Sequence, residues 1–163
     1  MYDAYKITSK NGIIMEQDYP VKYQRSKGQC RDVKGKEKYF NTNQHEEDDV
    51  SNDRLKELLA KQPVGIAIHS NGSCLSGYSR GIIKAEECEC NDGSKYEVNH
   101  GVTLVGYGKS ERPDCSEYWL IKNSWGPEWG EGGFFRLCAD KNSGRNPKGT
   151  CQVNAYVQYP TLE

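Results

Sequence analysis

No stretch of this sequence is apolar for more than a few residues in a row, so it offers none of the roughly 20-residue spans that a membrane-crossing helix needs. Charge of one sign is also missing: 22 basic side chains stand against 23 acidic ones, for a net charge of −1. Nucleic acid and anionic membrane surfaces both call for a basic surplus, so the balance argues against both as partners. No internal repeat or low-complexity tract interrupts the chain. No signal peptide opens it either, since Met1-Tyr2-Asp3-Ala4-Tyr5-Lys6 is polar and mixed in charge. The expectation is a longer precursor cut upstream, or an incomplete chain.

What is present is a chain of 163 residues, the size of one ordinary domain. Only 35% of it is hydrophobic, and its 17 Gly and 11 Tyr against three Phe suggest a turn-rich domain with many strands. The seven cysteines are too many for a reduced cytosolic protein and fit an oxidising compartment, secreted, vacuolar or lysosomal. An odd number leaves at least one without a partner in the chain. Asn71-Gly72-Ser73 is a glycosylation sequon, which makes Asn71 a candidate acceptor.

Residues 2–9 predict a short amphipathic helix ended at Asn11-Gly12, and 19–40 predict extended loop with short strands. The acidic run Glu46-Glu47-Asp48-Asp49 is expected near a helix start, where negative charge complements the dipole. Ser51 or Asn52 would cap that helix, Leu55, Leu58 and Leu59 would form its apolar face, and Pro63 would end it. The period then changes to two: Val64, Ile66 and Ile68 alternate with Gly65, Ala67 and His69. Further strands are expected at 102–107, 118–122, 133–137 and 153–159, with turns at 91–93, 126–127, 130–133 and 142–148. One helix followed by several strands without helix–strand alternation indicates α+β with an antiparallel sheet or barrel.

Two segments carry chemistry. Val98-Asn99-His100-Gly101-Val102 opens a strand on a histidine, and Lys122-Asn123-Ser124-Trp125-Gly126-Pro127-Glu128-Trp129-Gly130 ends one on an asparagine followed by two tryptophans. An Asn amide oxygen can satisfy one imidazole nitrogen and leave the other free, and an indole over that bond excludes water. That is the arrangement of a base and its orienting residue serving a cysteine nucleophile. His45 and His69 read as surface or structural. Cys88-Glu89-Cys90 with His100 offers zinc-type ligands, but nothing completes a set of four, so no metal and no cofactor is expected.

At these residues the chain resembles the papain-like cysteine peptidases, the family of cathepsins and plant vacuolar proteases. The resemblance begins near Asn11-Gly12-Ile13 with Tyr19-Pro20. It continues through Gln62-Pro63-Val64-Gly65-Ile66-Ala67-Ile68, the His100 segment with Gly106-Tyr107-Gly108, and the Asn-Ser-Trp-Gly segment, to Tyr159-Pro160. It implies the papain-like α+β fold: 1–42 as the tail of the helical first domain, and 43–163 as the second, β-rich, antiparallel barrel-like domain. His100 is implied as general base, Asn123 as the residue orienting it, Trp125 as the shield and Trp129 as a wall of the primed side. Ala67, Val98, Asn99 and Tyr156 are implied as walls of the second specificity pocket, apolar enough to favour Leu, Val or Phe in a peptide substrate. Gln152 stands where the family usually has Gly. Cys151 is implied to pair with Cys88 or Cys90, with Cys88 favoured, and Cys30 to be the orphan; Cys74, Cys90, Cys115 and Cys138 are left unassigned.

The family's nucleophile lies in a Cys-Gly-Ser-Cys-Trp segment with an oxyanion-hole Gln upstream, and neither string occurs here. The expectation is therefore the His/Asn-bearing portion of a cysteine endopeptidase, inactive alone and completed by a chain carrying the Cys-containing helical domain. The alternative is an inactive pseudo-peptidase serving as a structural or binding subunit, with another protein covering the interdomain face.

Overall fold

In a computed structural model of the chain, residues 1–20, 30–70, 72–90, 98–139 and 148–162 are described. The sequon residue Asn71 and the turns expected at 91–93 and 142–147 lie outside them.

Residues 46–159 form one compact unit, and residues 2–45 with 160–163 form another. In the second unit, α1 (Tyr2–Asn11) ends where Gly12 takes φ +74°, the left-handed conformation that Gly accepts without strain. A Cβ on Gly12 would also press against the Lys38 and Phe40 side chains at about 3 Å. The α1 helix buries none of its residues, and Ile7, Ile13, Met15, Tyr39 and Phe40 are exposed.

The larger unit is built on helix α2 (Asn52–Leu59) and strands β2 (Val64–Ile68), β4 (His100–Arg112), β5 (Cys115–Lys122) and β6 (Phe134–Cys138). Around them lie β1 (Asn43–Asp48), the short helix α3 (Gly72–Ser76), β3 (Ile82–Ile83) and β7 (Tyr156–Thr161). The seven-stranded sheet runs β1-β7-β2-β4-β5-β6-β3. The β2/β4, β2/β7, β4/β5 and β5/β6 pairs are antiparallel and β3/β6 is parallel. Ser51 caps α2 as expected, its Oγ accepting from Arg54 N at 3.1 Å. Leu55 and Leu58 bury the apolar face of α2, which meets β4. Alternation in β2 sends Val64, Ile66 and Ile68 into the core with Leu104, Trp119, Ile121, Phe135, Leu137 and Val157, all essentially inaccessible to solvent.

Three expectations are corrected. The acidic run does not sit near a helix start: Glu46, Glu47 and Asp48 belong to β1. Partners distant in sequence outweigh the dipole there, since Glu47 accepts from Arg54 Nε and Nη2 (2.9 and 2.7 Å) and from Tyr159 Oη (2.7 Å), and Glu46 accepts from Gln158 Nε2 (2.6 Å). The last strand starts at Tyr156 rather than at 153, because a 3₁₀ turn (Thr150–Gln152) precedes it and Asn154 turns inward. Its Nδ2 donates to Val50 O and Asn52 Oδ1, both at 2.9 Å. Finally, Cys88 does not pair with Cys151. The bridges are Cys74–Cys88, Cys90–Cys151 and Cys115–Cys138, with Cα separations of 5.2, 4.8 and 5.9 Å. Glu89 between the two candidates adopts φ +49°, so Cys88 and Cys90 serve different partners. Cys30 is unbridged and exposed.

Candidate active site

His100 is the first residue of β4 and Asn123 immediately follows β5. The strands are antiparallel neighbours with Thr103 opposite Lys122, so the start of one lies beside the end of the other. The two side chains meet there, His100 Nε2 to Asn123 Oδ1 at 2.9 Å. Asn123 is buried, and its backbone N–H donates to Gly133 O at 2.9 Å. Its Oδ1 also accepts from Ser124 N at 2.8 Å. A backbone N–H can only donate, so that contact fixes which end of the amide is oxygen. His100 Nε2 is then the donor, and Nδ1 is the ring nitrogen that Asn123 does not engage. Asn123 Nδ2 is buried and unpartnered among the described residues.

Trp125 packs against the imidazole, its ring centroid 5.3 Å from that of His100 and tilted by 35°. It is 43% exposed. Trp129 meets Trp125 edge to face at 5.0 Å and is anchored from the other side: Nε1 donates to Leu75 O at 3.0 Å, and the ring contacts Tyr78 (5.5 Å) and Phe135 (5.7 Å). Gly130 follows with φ +59°, and a Cβ there would stand 2.7 Å from Phe134 O.

The loop is clipped by an ion pair absent from the sequence reading. Glu131 accepts from Arg136 Nε and Nη2 (2.9 and 2.6 Å) and from Gly81 N (2.9 Å). The Arg136 hydrogen bonds hold the Glu131 carboxyl below its usual range. Burial, then the charge of Glu131, push the Tyr78 phenol up to about 12, and its O–H donates to Gly81 O at 2.7 Å. Only the turn glycines around it hinted at this clip, because nothing local joins Gly81 to residue 131.

The four expected pocket walls fall at one end of β2. Ala67 is opposite Tyr156 on β7 and opposite Gly101 on β4, and directly opposed residues share a sheet face. Val98 and Asn99 lead into β4, and Asn99 is locked to Ser70, accepting from its N at 2.7 Å and donating to its O at 3.1 Å. Tyr156 is partly exposed, with the Lys148 ammonium 5.9 Å from its ring centre. Just upstream of Tyr156, Cys151 and Gln152 both take positive φ (51° and 65°), the backbone for which Gly is the usual residue. Both thiols of the Cys88-Glu89-Cys90 segment are consumed in bridges, so neither is available to a metal.

A Papain family cysteine protease model matches residues 1–161. The chain belongs to that family. It is 36% identical to vignain of Vigna mungo over 94% of its own length and 39% of the relative's. It is also 36% identical to the KDEL-tailed cysteine endopeptidase CEP2 of Arabidopsis thaliana, over 96% of its length and 40% of the relative's. Among solved structures, the bromelain protease of Ananas comosus in complex with the E64 inhibitor superposes with a TM-score of 0.80 at 27% identity, covering 99% of this chain and 69% of that one. The chain thus spans about two fifths of the length of the curated relatives it matches. The fold is the papain-like α+β fold, with its β-rich second domain and part of the first. Three disulfides place the chain on the secretory pathway, in the secreted, vacuolar or lysosomal compartments. Among the described residues no helix is long and apolar enough to cross a membrane.

Proposed function

We propose that this chain is the His/Asn-bearing portion of a papain-like cysteine endopeptidase, with 1–42 as the tail of the helical domain and 43–163 as the β-rich one. The observation that carries the reading is the His100 Nε2–Asn123 Oδ1 hydrogen bond beside Trp125, which leaves Nδ1 as the ring nitrogen that would serve a thiol. His100 takes the thiol proton. The thiolate attacks a peptide carbonyl, imidazolium returns the proton to the leaving amine, and water then hydrolyses the thioester with His100 again as base. Pairing with imidazolium is what keeps such a thiol ionised, lowering its pKa from about 8.5 to about 3–4.

Six of the seven cysteines are in bridges and cannot supply that thiolate. Cys30 lies outside any Cys-Gly-Ser-Cys-Trp string. The nucleophile and the oxyanion-hole Gln belong to a complementary segment with the Cys-containing helical domain. The exposed Ile7, Ile13, Met15, Tyr39 and Phe40 supply apolar surface for that segment to cover. Ala67 and Val98 favour Leu, Val or Phe at the second substrate position, and Asn71 is a glycan acceptor.

The test is intact-mass spectrometry on natively purified material treated with a thiol-directed epoxide. A co-purifying polypeptide that gains one probe mass supports the reading. In that assembly His100→Ala should abolish turnover, by about 10³-fold or more, and Asn123→Ala should weaken it less. An unlabelled chain on its own, or full activity in His100→Ala, would refute it; the unlabelled outcome would leave a non-catalytic binding subunit.

A further inference from the structure

We propose that the Cys74–Cys88 bridge is a positioning element: it holds α3 so that the Leu75 carbonyl anchors the indole pair beside His100. The argument starts from the size of α3. A five-residue helix has almost no stability of its own, since nucleation is costly and only one turn repays it. Its backbone bonds are few: Gly77 N donates to Ser73 O at 3.4 Å and Tyr78 N to Leu75 O at 3.1 Å, which leaves each of these carbonyls a second lone pair. One of them, Leu75 O, receives the Trp129 indole N–H at 3.0 Å. The residue beside it in sequence, Cys74, is bridged to Cys88.

Cys88 is itself held firmly. It is buried, its N–H donates to Ala85 O at 3.3 Å, and Cys90 two residues on is bridged to Cys151. A covalent path therefore runs from the 3₁₀ turn through Cys151, Cys90 and Cys88 to Cys74. From Leu75 O a hydrogen bond continues it to Trp129, and ring contacts at 5.0 and 5.3 Å carry it through Trp125 to the imidazole. Release of Cys74 leaves α3 held by the buried Leu75 side chain and those short backbone bonds, and so loosens the Trp129 Nε1–Leu75 O hydrogen bond. Trp129 then rests more on Tyr78 and Phe135, and the edge support of Trp125 weakens.

The consequence for turnover rests on the peptidase reading above, but the positioning itself is read on the chain alone. In nitrogen-labelled chain, the Cys74→Ser/Cys88→Ser variant should speed solvent exchange of the Trp129 indole N–H by about tenfold or more. It should also shift the His100 Nε2 resonance while leaving His45 in place. The Cys115→Ser/Cys138→Ser variant, which removes the bridge between β5 and β6, should leave both signals as in the parent. Unchanged Trp129 exchange and His100 resonance in the first variant, or equal changes in both variants, would overturn the proposal. Trp129→Phe keeps the bridge and deletes the N–H, and it should move the His100 resonance in the same direction. No movement there overturns the proposal even where the cysteine variant does not fold. Absence of turnover in an assembled parent enzyme would count against the peptidase reading only.

Discussion

Glu131→Gln tests whether the ion pair behind the indole loop holds the site together. The carboxylate makes three hydrogen bonds, two from Arg136 and one from Gly81 N, with side chains only 26% and 30% exposed for the ion pair. Glutamine keeps the shape and one carbonyl oxygen, but it turns an amide NH₂ toward a guanidinium that can only donate. Hydrogen bonds to charged groups contribute about 1.5–3 kcal/mol each when buried. With partial exposure and the retained Gly81 contact, the net loss is expected to be about 2 kcal/mol at neutral pH. The pH dependence has a definite sign. Glu131 has a lowered pKa in the folded chain, so its contribution is fully present above the unfolded carboxyl value and is lost as pH falls through the folded one. Urea unfolding of parent and Glu131→Gln at pH 7, 5 and 3 should give a gap that persists to pH 5 and closes toward pH 3. A gap independent of pH, or none at pH 7, would refute the reasoning.

Three further expectations are direct. Non-reducing peptide mapping should recover Cys74–Cys88, Cys90–Cys151 and Cys115–Cys138, with Cys30 alone taking an alkylating agent on the folded chain. Ser51→Ala removes the side-chain cap on Arg54 N and should lower stability by about 1 kcal/mol in denaturant titration. Gly130→Ala forces a side chain into φ +59° and against Phe134 O. It should lose about 2–3 kcal/mol and alter tryptophan fluorescence.

Features whose causes are local in sequence were legible in it. The α2 helix follows from Ser51 as cap and leucines at helical spacing, and β2 from apolar residues at every second position. The Asn123 turn follows from glycines that accept positive φ. The His100–Asn123 pairing needed one step more, the resemblance of two segments to one family, and the antiparallel β4/β5 register then brings those segments together.

What required the tertiary structure is wherever partners far apart in sequence compete with a local preference. Glu46 and Glu47 look like helix-start residues until Gln158 and Tyr159, 112 residues away, pair with them in a sheet. Cys88 and Cys90 are chemically equal candidates for Cys151, and a left-handed Glu89 between them separates their directions. The anchoring of Trp129 on Leu75 O and of Glu131 on Gly81 N has no residue-specific signature in the sequence, because a backbone carbonyl or N–H carries no residue identity. The residue types and spacings of this chain therefore determined its family, its local elements and the pair of groups that meet at the site. The fold alone decided which cysteines join and what holds the indoles beside the imidazole, because those contacts exist only once distant strands have closed.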